Sequence, residues 1–469
     1  MSFIFFDTET TGLHAGFDQI VQFAAIKTDN DLNETDRLEL RSRIDPNVVP
    51  DVHAILANGL SIEELTDQHL STHYQMIRDL NARLVSWSPA IFLGYNSIRF
   101  DEEFLRHALY RTLHPPYLTS LHGNGRNDVM SLALACSASD DNALRVPLKD
   151  TGDPSFRLHD LAAANGISTL TAHDALFDTE TTLELCRLVK KLSPDLWRRF
   201  VRFSNKASVA DFIASEEPFV LTEFFGNRAY HTPVVFIANE PEQSNGMLCL
   251  SLVTPIDDLA SMSDEQLVAR LSSHPSPIRR VRTNAGPTMM PLWEAPEALL
   301  VGLSIEELED RAARIVENKG LKTRLAAKFL EIRPKYPEPV YVEEMLYTKF
   351  SSWNDAKTCE RFHAAPWGER PNIGQSFEDD RLRELALRIS YFERRSSLPT
   401  EVVQIMDIDL ARRLVSFDAK PPSVEQARKQ VEEVRASSEN DPSTVALLKG
   451  YASFLVERRT KILKFLESQ

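Results

Sequence analysis

The spacing of apolar and polar residues divides the chain into parts with different predicted structures. In the first part, short apolar or alternating segments predict strands, and a period near 3.6 residues predicts helices. The predicted strands cover residues 3–12, 20–27, 38–44 and 90–95, and the predicted helices cover residues 72–85, 129–138, 156–164 and 173–192, with another starting near Asp101. Strands followed by helices in this order predict an α/β domain on a mixed sheet over residues 1–194.

Two further parts follow this α/β domain. Short strands separated by polar turns are predicted at residues 218–225, 233–238, 247–254, 278–283 and 288–293, a pattern typical of a small barrel or sandwich. Long amphipathic segments fill most of residues 339–469 and predict a helical bundle. The length of 469 residues also favours about three domains. We therefore predict domain bounds at 1–194, 195–338 and 339–469.

The amino-acid composition limits the class of protein and the cellular compartment to be expected. Apolar residues make up 43% and charged residues 26% of the chain, as in ordinary globular proteins. The sequence has neither an apolar run of about eighteen residues nor a basic, then apolar N-terminus, so we expect no membrane span and no signal peptide. The four cysteines are widely spaced, which favours neither a zinc site nor disulfides and fits a reducing cytoplasm.

The net charge of -15 argues against binding a polyanion through the overall field of the protein. A local basic groove remains compatible with it, because charges more than about 10 Å apart are screened by salt. Two clusters of basic residues are candidates, namely Arg198, Arg199, Arg202 and Lys206, and then Arg279, Arg280 and Arg282. The alternative for each cluster is a solvated face whose charges are paired elsewhere.

Two acids at the end of the first strand are the first candidates for chemistry. Asp7 and Glu9 are one residue apart, so their side chains point to the same face of the strand. Neighbouring carboxylates repel each other when buried, and a hard divalent cation is the usual compensation. Asp101 follows the buried strand at residues 90–95 and is expected at the same edge of the sheet. The alternatives are a chance Asp-x-Glu and an acidic first helical turn at Asp101.

His173 and Asp178 extend this candidate site from the last helix of the domain. Asp178 can serve as a metal ligand, and His173 can accept a proton if it lies in the turn before the helix. The string Phe-Asp-Thr-Glu-Thr-Thr occurs at residues 6–11 and again at residues 177–182. In a helix the two acids of the second copy diverge by about 200°, so we assign Asp178 to the site and Glu180 to solvent.

These motifs resemble those of the DEDDh superfamily of proofreading-type 3'-to-5' exonucleases. The resemblance rests on Asp7-Thr8-Glu9-Thr10-Thr11-Gly12, on Asp101 after an Asn-x-x-x-Phe segment, and on His173-x-x-x-x-Asp178. Longer strings at residues 93–101, 154–158, 163–167 and 172–175, together with the β-rich and helical parts, are similar to the bacterial exodeoxyribonuclease I family. This family implies an RNase H-like exonuclease domain, a small SH3-like β-rich domain and a C-terminal helical domain.

The resemblance also implies an activity and a set of roles. Asp7, Glu9, Asp101 and Asp178 would hold two Mg²⁺ ions, which Mn²⁺ can replace, and His173 would be the general base. Substrate contacts are implied for Glu9, Arg157, Arg106 and Tyr117. The implied reaction is release of 5'-mononucleotides from the 3' end of single-stranded DNA, in repair and recombination. The implied partner is the acidic tail of single-stranded DNA-binding protein, and the implied state is a monomeric enzyme.

Two alternatives remain open from the sequence. Thr8, Thr10 and Thr11 match the broader proofreading and RNA-trimming relatives, whereas exodeoxyribonuclease I often has another residue, such as tyrosine, between the first two acids. The first motif therefore cannot choose DNA over RNA, and an RNA-trimming exonuclease is one alternative. The other is a clamp that binds single-stranded nucleic acid without activity.

Overall fold

The first sheet of the protein has five strands in the order β3-β2-β1-β4-β5. The computed structural model describes residues 1–139, 144–168, 174–215, 217–241, 243–334, 337–437 and 442–469. The five strands are β1 (Phe3–Thr10), β2 (Ile20–Thr28), β3 (Glu34–Arg41), β4 (Ile91–Gly94) and β5 (Gly125–Asp128). The β1/β2 and β2/β3 pairs are antiparallel, and the β1/β4 and β4/β5 pairs are parallel. The sheet is therefore mixed, as predicted.

Helices cover both faces of this sheet. They are α1 (Val52–Asn58), α2 (Ile62–Leu65), α3 (His73–Trp87), α4 (Asp101–Arg111), α5 (Val129–Ser139), α6 (Leu158–Ala164), α7 (Ala175–Leu192), α8 (Pro194–Arg202) and α9 (Lys206–Ser215). Phe3 and Phe5 pack into a core that includes side chains of α5, α7 and α8. Ile4 and Phe6 pack into a second core with side chains of α3 and α4. Alternation along β1 thus assigns its odd positions to the α7 face and its even positions to the α4 face.

The second sheet is antiparallel and has the order β10-β6-β7-β8-β9. Its strands are β6 (Pro218–Phe225), β7 (Arg228–Asn239), β8 (Gly246–Ser251), β9 (Ile278–Arg282) and β10 (Thr288–Pro291). The helices of this part are α10 (Ile256–Ser261), α11 (Asp264–Ser272), α12 (Ile305–Glu317) and α13 (Lys319–Glu331). This is the small β-rich unit that the sequence predicts, and five short antiparallel strands are consistent with an SH3-like barrel.

The last part of the chain is helical, as predicted. Its helices are α14 (Trp353–Ala364), α15 (Arg370–Gln375), α16 (Asp380–Glu393), α17 (Thr400–Leu414), α18 (Val424–Ser437) and α19 (Pro442–Glu467). These helices share two cores with the first part of the chain. Tyr451 and Leu414 pack with Val52 and Ile55, and Phe362 packs in the same core as Tyr110. The helical part is therefore bound to the first sheet's domain through common apolar cores.

Three local predictions are corrected by the structure. The third strand begins at Glu34 instead of residue 38, and α1 and β5 were not predicted. The segment of β5, Gly-Arg-Asn-Asp, has no apolar alternation, although all four residues are buried. The domain bounds at 194 and 338 stay predictions. In the ranges that the structure describes, no helix is both long and apolar enough to span a membrane.

Candidate active site

Asp7 and Glu9 lie near the carboxyl end of β1, on its α7 face. In the antiparallel register with β2, Asp7 is opposite Ala24 and Glu9 is opposite Gln22. The small Ala24 side chain leaves space beside Asp7, because directly opposed residues share a face. Glu9 is 8% exposed and Asp7 is partly buried. The sequence predicted this shared orientation, and the structure shows both acids in a largely dehydrated position.

Asp101 is the first residue of α4 and is 3% exposed. Its Oδ1 accepts a 2.5 Å hydrogen bond from the hydroxyl of Thr8. Thr8 is at an even position of β1, so its side chain points to the α4 face while its two acidic neighbours point to the α7 face. The strand therefore positions acids on one face and anchors a third acid from the other. This anchoring role of Thr8 was not predicted.

The loop between β4 and α4 is fixed by close backbone packing. A Cβ on Gly94 would lie 2.8 Å from the carbonyl oxygen of Phe6 and 2.6 Å from the Cβ of Ser97. Only glycine permits this approach. Asn96 has φ 58, a left-handed conformation that asparagine tolerates better than most residues. The loop that delivers Asp101 thus depends on two residue types at specific positions.

Asp128, the last residue of β5, holds the same loop. Its carboxylate accepts hydrogen bonds from the backbone N–H of Asn96 at 2.8 Å and Ile98 at 3.3 Å. It also accepts a 3.0 Å bond from the N–H of Met130 at the start of α5. Burial raises the pKa of Asp128 to about 6, against the lowering effect of these three N–H groups. Asp128 is therefore a buried acid that fixes the loop leading to Asp101.

Asp178 lies in the first turn of α7, which packs along β1 and β2. Asp174 is the N-cap residue of α7 and accepts hydrogen bonds from the N–H groups of Leu176 and Phe177. The other oxygen of Asp174 accepts 3.1 Å bonds from Nε2 of Gln22 and from the guanidinium of Arg41.

Strands β2 and β3 therefore both bind the start of the helix that carries Asp178. The side chain of Glu180 instead pairs with Arg37 at 3.0 Å on the surface and is 43% exposed.

His159, on α6, contacts Asp178 directly. Its Nε2 lies 3.2 Å from Oδ1 of Asp178. The two side chains are 24% and 15% exposed, so this contact lies at the rim of the site. The sequence offered no signal for His159, because it follows Arg157 in a short helix without a recognisable catalytic spacing. The contact depends on how α6 packs against α7.

The acids of this edge share one electrostatic environment. Burial and then the charges of Asp101, Asp178 and Glu9 raise the pKa of Asp7 well above its ordinary value. Burial, followed by Asp178 and Asp101, raises the pKa of Glu9 to about 8, and Arg41 opposes this shift. Burial raises the pKa of Asp101 to about 7, although the Thr8 hydrogen bond lowers it. The fold therefore places acids from β1, α4 and α7 close enough to repel one another.

The chemistry of these donors fits a divalent cation. Carboxylate oxygens are hard ligands, and a cation offsets both their repulsion and their lost hydration. Among the described residues, no three His, Cys, Asp or Glu side chains already form a metal-holding cluster. The fit therefore rests on the type of donor and on the shared repulsion of Asp7, Glu9, Asp101 and Asp178.

Two further site residues predicted from the sequence are His173 and Arg157. His173 lies outside the described residues, so its predicted role as a base stays a prediction. Arg157 is exposed at the N-terminal end of α6, two residues before His159. The preceding residue is fixed, since the hydroxyl of Tyr95 donates a 2.6 Å hydrogen bond to the carbonyl of Phe156. Arg157 thus has an anchored backbone and an exposed side chain, as a contact to substrate requires.

Arg106, on α4, contacts Tyr117, which follows the helix in the chain. The guanidinium of Arg106 is 5.5 Å from the ring centre of Tyr117, and its side chain is only 7% exposed. It lies 3.6 Å from the carboxylates of Glu102 and Glu103. Arg106 therefore orients Tyr117, which is half-buried. The predicted contacts of Arg106 and Tyr117 to substrate stay predictions.

Comparison with known proteins agrees with this architecture. Residues 4–186 match the family described as "Exonuclease", and residues 341–457 match the "Exonuclease I C-terminal domain". Exodeoxyribonuclease I of Escherichia coli K12 is 28% identical over 400 residues, which cover 82% of this chain and 84% of that protein.

Solved structures show the same fold over almost the whole chain. An exonuclease I from Methylocaldum szegediense has a TM-score of 0.86 and 24% identity, with 98% of this chain and 99% of that chain covered. The E. coli exonuclease I complex with a dA16 oligonucleotide has a TM-score of 0.84 and 25% identity, with 97% and 99% covered. The N-terminal and C-terminal family models, the curated relative and the fold agree, and the chain is a homologue of exodeoxyribonuclease I.

Proposed function

We propose that this protein is a single-strand-specific 3'-to-5' exodeoxyribonuclease that releases 5'-mononucleotides. The observation that carries the proposal is the mutual repulsion of carboxylates from β1, α4 and α7 at one edge of the sheet. Such a group of acids is suited to bind divalent cations next to a phosphodiester. Enzymes of this family depend on divalent metal ions.

We assign Asp7, Glu9, Asp101 and Asp178 as ligands for two Mg²⁺ ions, which Mn²⁺ can replace. Bound metal would supply positive charge for the attacking water and for the departing 3'-oxygen. His173 takes the proton of the water that attacks the terminal phosphodiester. The bond from phosphorus to the 3'-oxygen breaks, so the shortened strand keeps a 3'-hydroxyl and the released nucleotide keeps its 5'-phosphate.

The strand is held by residues around this edge. The exposed guanidinium of Arg157 contacts a phosphate of the terminal nucleotide, which guanidinium groups bind in a bidentate manner. Glu9 contacts the substrate, and Tyr117 offers a ring on which a base can stack. Arg106 supports this ring from below, and its cation–π contact with Tyr117 is the observation that favours this arrangement.

A comparison of DNA with RNA tests the choice of substrate. The purified chain with Mg²⁺ should shorten 5'-labelled single-stranded DNA from its 3' end and release 5'-mononucleotides, with slower attack on duplex DNA and on RNA of the same sequence. The structurally similar E. coli exonuclease I was solved in complex with a DNA oligonucleotide, which favours DNA. Preference for RNA would replace this proposal with that of an RNA-trimming exonuclease.

A pair of variants on α7 tests whether the carboxylate edge is catalytic. Asp178→Asn should abolish hydrolysis and leave strand binding intact. Glu180→Gln is the matched control, because it changes an acid two residues away that pairs with Arg37 on the surface. Equal activity of the two variants would contradict the assigned site. Binding without hydrolysis in the unaltered protein would instead identify a non-catalytic clamp.

The family relationship supports further proposals about partners and setting. We propose a cytoplasmic monomer that acts in DNA repair and recombination and binds the acidic tail of single-stranded DNA-binding protein. A tail peptide should bind in calorimetry at low salt and weaken as salt rises, because opposite charges are screened. Absence of heat at low salt would remove this partner. We also propose that residues 195–338 and 339–469 enclose the strand beside the exonuclease domain at 1–194.

A further inference from the structure

Most arginines near the second sheet are paired with acids. In the basic cluster predicted from the sequence, Nε of Arg279 lies 3.4 Å from Glu223 and Nε of Arg280 lies 2.6 Å from Glu240. In the other predicted cluster, Arg198 pairs with Asp195 and Arg199 pairs with Glu294 at 3.1 Å. These four paired arginines therefore offer little free positive charge to a polyanion.

Arg282 is different from its neighbours. It is exposed at the end of β9, and among the described residues it has no ion pair. Arg99 has the same two properties and lies in the loop before α4, two residues from Asp101. In a chain with a net charge of -15, two exposed arginines without an acid partner beside the candidate active site are unexpected.

A single strand, β5, supports both of these arginines. Asp128 at its end accepts hydrogen bonds from the loop that carries Arg99. Nε of Arg126, also on β5, donates a 2.8 Å bond to the carbonyl of Asn284, two residues after Arg282. A segment from the exonuclease domain and a segment from the β-rich part are thus held by residues 128 and 126 of one strand.

The contact between β5 and the turn after β9 is close. Gly286 has φ +56, and a Cβ there would lie 1.9 Å from Oδ1 of Asn127. The turn therefore rests directly on the strand and requires glycine at this position. The position of Arg282 relative to Arg99 is consequently set by packing of the two backbones.

The charges of this region act on one another. Partial burial and then the positive charges of Arg280, Arg126 and Arg99 lower the pKa of Arg282, and Glu103 opposes this. Arg126 and Arg280 are already paired with Glu102 and Glu240. Glu103 accepts a 2.5 Å hydrogen bond from Tyr347 and lies near Arg106. The uncompensated positive charge is therefore that of Arg99 and Arg282.

We propose that Arg99 and Arg282 form a phosphate-binding site for the DNA strand, with one arginine from each side of the junction between the exonuclease domain and the β-rich part. This inference rests on the proposed function. A guanidinium group binds phosphate through two parallel hydrogen bonds, and the repeated phosphates of a strand can contact both groups at once. The site would hold the strand close to the carboxylate edge while its 3' end is cut.

Salt-dependent binding tests this site. The assay measures anisotropy of a fluorescein-labelled twenty-nucleotide oligo-dT between 50 and 300 mM salt, in an Asp178→Asn background that prevents digestion. Arg99→Gln and Arg282→Gln should each reduce the slope of log K against log salt by about 0.7, the value for one phosphate contact of a single strand. Affinity at fixed salt should fall about tenfold for each variant.

Arg314→Gln is the matched control, since Arg314 is an exposed arginine of α12 that pairs with Asp257. It removes the same charge and should leave the slope unchanged. In the active background, Arg282→Gln should raise KM for the long strand without changing kcat. Arg282→Lys, which keeps the charge, should retain the slope and recover part of the affinity. Unchanged melting temperatures would show that the variants are folded.

Three outcomes would distinguish failure of the proposed phosphate-binding site from failure of the proposed nuclease function. An unchanged slope in the Arg99→Gln and Arg282→Gln double variant would overturn this site and leave the proposed nuclease intact. Loss of binding to an acidic tail peptide, with DNA binding unchanged, would also overturn it and identify a peptide surface. Absence of DNA binding by the Asp178→Asn parent would contradict the proposed function itself.

Discussion

The hydroxyl of Thr8 donates a 2.5 Å hydrogen bond to Oδ1 of Asp101, although the two residues are 93 positions apart in sequence. Thr8 is therefore the side chain through which the central strand of the sheet contacts the start of α4. The residues on either side of it, Asp7 and Glu9, point to the opposite face. One short strand segment thus places three polar side chains in two directions.

We predict that Thr8→Val lowers kcat on single-stranded DNA by about tenfold. Valine has nearly the same shape as threonine, but it leaves a buried carboxylate without its hydrogen bond, which costs about 1–3 kcal/mol. Thr8→Ser keeps the hydroxyl and should retain most of the activity. Initial rates with saturating strand and Mg²⁺ would measure the effect, and a Thr8→Val variant as active as the parent would show that this bond has no catalytic importance.

The raised pKa of Glu9 predicts a pH dependence of stability in metal-free protein. The folded protein holds this proton up to about pH 8, whereas the unfolded chain releases it near the ordinary value of 4.5. Because the folded state binds more protons between these values, the contribution of Glu9 to stability is greatest below about pH 4.5 and is lost as pH rises to about 8. In buffer with a chelator, Glu9→Gln should show a smaller loss of melting temperature from pH 5 to pH 8 than the parent.

The change in melting temperature on adding Mg²⁺ is an independent measure of the repulsion among the same carboxylates. A cation that binds the deprotonated acids should raise the melting temperature more at pH 8 than at pH 5.5. The Asp7→Asn variant should show a smaller Mg²⁺ response at pH 8. An equal response of parent and variant would place the stabilising ion elsewhere.

We predict that Gly94→Ala destabilises the protein by about 1–3 kcal/mol and reduces activity. The new Cβ would press on the carbonyl of Phe6, a backbone atom that cannot move without shifting β1. The matched control is Gly368→Ala, because no atom lies within 4 Å of a Cβ at that glycine. Urea unfolding would measure both. A Gly94→Ala variant as stable as the control would show that the loop before Asp101 can change its conformation to accommodate the added methyl group.

Two substitutions of Asp174 can separate its role as the N-cap residue of α7 from the effect of its negative charge. Asp174→Ala removes the acceptor for the N–H groups of Leu176 and Phe177 and should cost about 1 kcal/mol of stability, with reduced activity because α7 carries Asp178. Asp174→Asn keeps a good capping residue and should retain the stability. Urea unfolding and initial rates would distinguish them, and equal stability of the alanine and asparagine variants would contradict the capping role.

The sequence alone was sufficient where the determining pattern is local. The apolar run at Phe3–Phe6 predicted the central strand, and alternation placed Asp7 and Glu9 on one face. Helical phase separated Asp178 from Glu180, and in the structure the charge of Asp178 acts on Asp7 and Glu9 whereas Glu180 pairs with Arg37 on the surface. The β-rich and helical parts were predicted as well, because each repeats a period of burial along the chain.

Tertiary structure decided the contacts that support these residues. β5 has no apolar period, since its buried polar groups are satisfied by partners such as Asn96, Ser204 and Asn284, which are distant in sequence. The contact of His159 with Asp178, the ion pair between Arg41 and Asp174, and the unpaired state of Arg282 likewise depend on which elements pack together. Periodicity records whether a residue is buried, whereas hydrogen bonds and ion pairs require the relative positions of two distant segments, which only the folded chain establishes.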